Sequence, residues 1–147
     1  MRYDDTLKWE KYRDLRKVYK NCLRQGWFTA SRRAFAVAVK QPYPSFYITA
    51  EYCVKMFRWI ESGNPRLDSI RPLTRKKLDY LYARYLELHE QEPDEPKIAI
   101  CDRIVNEQAP ELYMTGDSAY NFYIDMRKKK RLLDKLNENT NTQQTTI

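Results

Sequence analysis

One phrase occurs twice in this chain, 66 residues apart and in the same register. Pro44-Ser45-Phe46-Tyr47-Ile48-Thr49-Ala50-Glu51 reappears as Pro110-Glu111-Leu112-Tyr113-Met114-Thr115-Gly116-Asp117. Self-similarity at a fixed period constrains architecture before any residue's chemistry does, because each copy must form the same supersecondary unit. The offset extends without a gap from about Lys8 to Ser62. Lys11, Leu15, Tyr19, Gln25 and Val39 meet Lys77, Leu81, Tyr85, Gln91 and Val105, and the apolar pattern follows, Tyr12 with Leu78 and Cys22 with Leu88. Units of roughly 60 residues bury little core alone, so the two are expected to pack on each other or to oligomerise.

Each copy reads as three helices, and with only 3 glycines a turn-rich β architecture is poorly served. Trp9, Tyr12, Leu15, Tyr19, Cys22 and Leu23 recur at helical spacing with charges between them, as do Leu78, Leu81, Tyr85 and Leu88. A short second helix is expected over about Ala30 to Lys40, with Phe35 and Val39 inward. Its counterpart runs over about Pro96 to Glu107, with Ile100, Ile104 and Val105 inward and Pro96 suiting the first turn. Prolines 42, 44 and 110 stop these helices.

Thr49 and Thr115 stand where an N-cap belongs, and Glu51 and Asp117 complement the dipole of the third helix. Its buried stripe is Cys53, Met56, Phe57 and Ile60, or Ala119, Phe122, Tyr123 and Met126. The expected fold class is all-α, with two tandem three-helix units at 1–65 and 74–136 joined by a linker over 66–73. The last helix continues into a basic extension from Arg127 to Leu136. The Asn/Thr/Gln-rich stretch 137–147 has no hydrophobic period and reads as a disordered tail.

Several function classes find no residues to serve them. His89, the one histidine, lies beside Glu87 and Glu90 with no ligand spacing to a cysteine, so no metal is expected. Three glycines supply no phosphate-binding loop, and no catalytic set is visible, which points to a non-enzymatic protein without cofactor or small-molecule substrate. Cys22, Cys53 and Cys101 are odd in number and widely spaced, as buried apolar residues of a reducing compartment are. No leader-like start and no apolar run of about 18 residues is present. A cytoplasmic protein without membrane contact is expected, or a virion component if phage-encoded.

Charge points to a partner. There are 27 Lys and Arg against 20 Asp and Glu, a net +7 suited to a polyanion. The cations cluster at Arg32-Arg33, at Arg71 with Arg75-Lys76-Lys77, and at Arg127-Lys128-Lys129-Lys130-Arg131 with Lys135. Helix, short helix, proline turn and capped third helix together resemble the trihelical helix-turn-helix unit of homeodomain-like and Myb-like DNA-binding proteins, here in tandem. Pro-bearing loops replace the usual tight glycine turn of that unit.

The resemblance implies duplex DNA as partner and the third helix as the groove-entering element. Thr49, Tyr52, Lys55 and Arg58 would then face DNA from the first copy, and Ser118, Asn121 and Lys128 from the second, with the basic clusters on phosphates. A regulatory role, or one in phage or mobile-element DNA transactions, would fit. The alternative is a helical adaptor of a phage particle or other assembly, offering Trp27, Trp59, Tyr52 and Tyr120 to protein partners. Tyr47 and Tyr113 read as core residues wedged between the turn and the first helix, each hydroxyl reaching a backbone carbonyl.

Overall fold

The computed structural model describes residues 2–26 and 31–145. Among them are six α-helices: α1 (Arg2–Arg24), α2 (Ser31–Ala38), α3 (Ala50–Ser62), α4 (Pro72–Gln91), α5 (Lys97–Val105) and α6 (Gly116–Thr145). The local instructions operate as the residue types require. The Thr49 hydroxyl accepts the N–H of Tyr52 at 3.1 Å, and Thr115 accepts that of Ser118 at 3.1 Å, each satisfying an orphan donor of the first turn. α3 ends at Gly63, whose φ of 64° lets Asn64 N–H reach back to the Trp59 carbonyl at 3.0 Å.

α1 and α2 are completed by α6, and α4 and α5 by α3. α2 packs on α6, α3 packs on α5, α1 lies on α2 and α6, and α4 lies on α5 and α3. The molecule therefore has one group made of α1, α2 and α6, and another made of α3, α4 and α5. Where the groups meet, the connections 39–49 and 106–115 pair reciprocally. Tyr43 and Ala109 exchange both backbone hydrogen bonds at 2.9 and 2.7 Å; Phe46 N–H donates to the Val105 carbonyl, and Leu112 N–H to that of Val39. Tyr43 and Ala109 are themselves related by the 66-residue offset, and the same offset carries the Leu112–Val39 bond and the Phe46–Val105 bond into each other.

The pairing comes with a local cost. Tyr47 and Tyr113 have φ of 57° and 58°, a left-handed conformation that bulky side chains rarely adopt. Tyr47 is half-buried and donates its hydroxyl to the Asp14 carboxylate of α1 at 2.6 Å, so its partner is a side chain and not the expected backbone carbonyl. Asp14 is in turn buried.

One apolar core runs through both groups, from Tyr12, Leu15 and Tyr19 to Tyr123 and Met126. In the α1–α2–α6 group Phe35 is fully covered, stacked on Tyr19 with ring centroids 4.2 Å apart and tilted against Tyr123 at 5.3 Å. The approach of α6 to α2 needs Gly116, since a Cβ there would meet the Ala36 backbone at 2.8 Å. A satellite cluster of Met56, Leu67 and Leu78 sits under the other group.

Three expectations change. The segment read as a linker holds a 3-10 turn, Pro65–Ser69, with Leu67 buried, so it is part of the packing. The stretch from Asn137 to Thr145 continues α6 as helix: it contains no Gly or Pro to stop a helix already nucleated by its packed half. Leu23 is exposed at the end of α1. The sequence also places a break between the first two helices at Gln25-Gly26-Trp27-Phe28-Thr29: Gln25 and Gly26 form a turn after α1, with Gly26 at φ 70°, and Trp27, Phe28 and Thr29 lie outside the described residues.

Candidate functional site

The basic residues are distributed unequally between the two groups. α1, α2 and α6 carry 16 Lys and Arg against 8 Asp and Glu, while α3, α4 and α5 carry 8 against 6. Ion pairing widens the contrast. Around α3, α4 and α5, Arg84 pairs with Glu107 at 2.9 Å and with Glu87 at 3.1 Å, Lys97 with Glu61 at 2.7 Å, Arg75 with Asp79 at 3.0 Å, and Arg103 with Glu92. Within the α1–α2–α6 group the one pair among the described residues is Arg13 with its neighbour Asp14.

Cations of this group converge, all but Arg13 without an ion pair among the described residues. α1 and the second half of α6 enclose a groove of about 520 Å³. Arg13, Arg16, Lys17 and Lys20 line it from α1, Lys130 lines it from α6, and Trp9, Tyr12 and Leu133 form its apolar floor. Residues 13, 16, 17 and 20 fall on one helical face, which is why α1 delivers all four to the same side. Burial raises the Tyr12 hydroxyl's pKa, as does Tyr123, against the pull of Arg16, Arg127 and Arg131, so the α6 run shares this field. Arg127 lies over the Tyr123 ring at 5.5 Å, and its Nε is buried with no hydrogen-bond partner among the described residues. Asp134 is the one carboxylate in the lining. Four or more cations over an aromatic floor can hold a phosphate backbone and offer rings to exposed bases.

The residues singled out in the sequence separate into distinct places. Arg127, Lys128, Lys129, Lys130 and Arg131 follow one another on α6, the last four exposed. Arg32 and Arg33 are exposed on α2, Arg32 held 4.7 Å over the Tyr120 ring. Lys55 and Arg58 are exposed on α3 in the other group, Lys55 lying over Trp59. Thr49 caps α3 with its hydroxyl, Ser118 donates its backbone N–H to the capping Thr115, Asn121 is exposed on α6, and Tyr52 lies on α3 at the rim of a second cavity. The cluster at 75–77 is spent: Arg75 is ion-paired, Lys76 meets Glu111 at 2.9 Å, and Lys77 is half-buried. Burial works against the Glu111 carboxylate, yet Lys76 and Lys40 hold it below its ordinary range. The four α1 cations were missed because they are interleaved with the apolar stripe; their common helical face was the available signal.

Of the adaptor aromatics, Trp59 and Tyr120 are half-buried in the packing, and Trp27 lies outside the described residues. No described helix is long and apolar enough to cross a membrane, and no described cluster of His, Cys, Asp and Glu has the makings of a metal site. No family model matches this chain, and neither a curated protein nor a solved structure matches it.

Proposed function

We propose that this is a non-enzymatic nucleic-acid-binding protein that holds duplex DNA along the groove between α1 and α6. The observation that carries the reading is the convergence of Arg13, Arg16, Lys17 and Lys20 with Lys130 of the α6 run, in the group of helices where Arg13–Asp14 is the one ion pair among the described residues. Affinity then rests on phosphate contacts and release of counterions, with little dependence on base sequence. The long connections 39–49 and 106–115 support this emphasis, because they pair with each other where a helix-turn-helix uses a turn of about three or four residues. The same reading takes the chain as an internal duplication in which the two copies exchange their third helices about a local two-fold axis. The basic groove is then a feature of one half alone.

Fluorescence anisotropy with a random-sequence duplex tests the function. The affinity is expected to fall log-linearly with salt concentration, with a slope of roughly 4 to 6 for as many phosphates neutralised. No binding at low salt, or binding indifferent to salt, would sink the reading. Salt-tolerant self-association lost on Leu132→Glu would turn attention to the exposed Leu132, Leu133 and Leu136 of α6 as a protein-binding stripe.

A further inference from the structure

A second cavity lies away from the basic groove, between the first half of α1, the entry to α3 and the first turns of α4. Its volume is about 390 Å³, within the range of roughly 300 to 1,000 Å³ that small ligands occupy. Lys8 and Lys11 enter it from α1, and Thr74 and Lys77 from α4. These are two pairs of positions related by the 66-residue offset, so each lysine of the pair Lys11 and Lys77 stands in the other's place.

Their surroundings are unusual for lysine. Both are half-buried, and among the described residues neither has a carboxylate within ion-pair distance. Lys77 donates only to the Phe46 carbonyl at 3.5 Å, and Lys11 lies 5.1 Å from the centre of the Phe122 ring. Burial lowers both ammonium groups to about 8, and for Lys11 the charges of Lys77 and Lys8 add to it. Two like charges brought together out of water, without an acid, favour a bound anion that would restore their ordinary basicity.

The rest of the lining narrows the ligand. Thr74 and Tyr52 bring hydroxyls, and Thr49, though its oxygen accepts the Tyr52 N–H, keeps its own proton to donate. Leu7, Ile48 and the Tyr47 ring make an apolar wall, the Tyr47 hydroxyl being turned to Asp14. A dianionic head with three acceptor oxygens and an organic remainder matches this set, whereas a carboxylate brings one charge and two oxygens. We propose that the cavity between α1, α3 and α4 binds a phosphate monoester, with Lys11 and Lys77 on the phosphate and Thr74 donating to it. The proposal stands independently of the α1–α6 groove, whose phosphates are diesters.

Such a group comes from a free metabolite or from the 5′ end of a nucleic acid, and calorimetry separates them. The probes are AMP, adenosine, and a short single strand with and without a 5′-phosphate. AMP is expected to bind saturably and adenosine not to, with Lys11→Met, Lys77→Met together weakening AMP about tenfold or more. Thr74→Val, a near-isosteric change, is expected to weaken it severalfold. Lys128→Gln, Lys129→Gln, on α6, should leave it within about twofold. If AMP fails but the 5′-phosphorylated strand binds more tightly than its 5′-hydroxyl twin, with the same dependence on Lys11 and Lys77, the site takes a strand end. The proposal is overturned if no phosphate-dependent difference is seen with either probe. It is overturned equally if the difference survives in folded Lys11→Met, Lys77→Met protein and in Thr74→Val.

Discussion

The two groups of helices share a plan and differ in what they do with charge. α3, α4 and α5 bind their arginines and lysines to Glu61, Asp79, Glu87, Glu92 and Glu107, so few cations remain for a partner. α1, α2 and α6 carry twice as many cations as acids, and Arg13, Arg16, Lys17, Lys20 and Lys130 line one groove, all but Arg13 without an ion pair among the described residues. Exposed ion pairs are worth little to stability, roughly 0 to 1 kcal/mol each, so this difference affects binding far more than folding. Similar helix packing in the two groups does not imply a shared ligand.

The cores differ as well, and this gives the largest expected effect. Phe35 fills the α2–α6 contact, stacked on Tyr19; the position related to it by the offset is Cys101, whose thiol meets Cys53 across α3 and α5. Phe35→Ala is expected to cost about 3 to 5 kcal/mol, and Cys101→Ala on the order of 1 kcal/mol. At about 2 to 4 °C per kcal/mol for a chain near this size, the first lowers Tm by roughly 10 °C and the second by a few degrees. Equal losses in thermal melts would mean that the two contacts do not differ in this way.

A smaller effect concerns the lysines where the groups meet. With folded-state values of about 8 against 10.5 for the free side chain, Lys11 and Lys77 are protonated in both states at neutral pH and below. The folded state there bears the full cost of two buried charges. Above pH 8 the folded protein releases these protons before the unfolded chain does, so stability rises with pH. The lysine contribution grows between about pH 8 and 9.5, below the range of tyrosine ionisation, since Tyr113 is raised by burial to about 12 with Tyr43 and Tyr47 also raised. In the same window Cys53, raised by its contact with Cys101, and Cys22, raised by burial, keep thiol protons that the unfolded chain loses, which works against it. Wild-type Tm is therefore expected to climb by a few degrees relative to that of Lys11→Met, Lys77→Met across that window. A difference between the two proteins that stays constant or moves the other way from pH 8 to 9.5 would contradict this account of the lysines.

What was legible in the sequence was local. The threonine caps at 49 and 115, the Pro-bearing stops and the apolar stripes of α1, α3, α4 and α6 follow from rules that act within a few residues. The packing of α3 on α5 and of α6 on α2 was not legible, because the stripe of Cys53, Met56 and Phe57 fits α2 or α5 equally well by pattern alone. The left-handed tyrosines gave no sign, since only glycine advertises that conformation. For the candidate site, the α6 run was plain as a block of charge. Its partners on α1 needed a helical wheel, and the fate of the 75–77 cluster needed Asp79 and Glu111 in space. Lys11 and Lys77 stood out as an identity between copies; their shared cavity depends on a packing that no spacing encodes.

The most direct test reverses equal charge in the two groups. Arg16→Glu with Lys20→Glu alters the α1–α6 groove, and Lys55→Glu with Arg58→Glu alters α3; both change the net charge by the same amount. Duplex affinity should be measured for each across a salt series. The groove variant is expected to lose affinity about a hundredfold or more at low salt and to lower the salt slope by about two, while the α3 variant loses only a few-fold. Equal losses would show that net charge alone governs binding, and a greater loss from α3 would place the contact on the other group of helices.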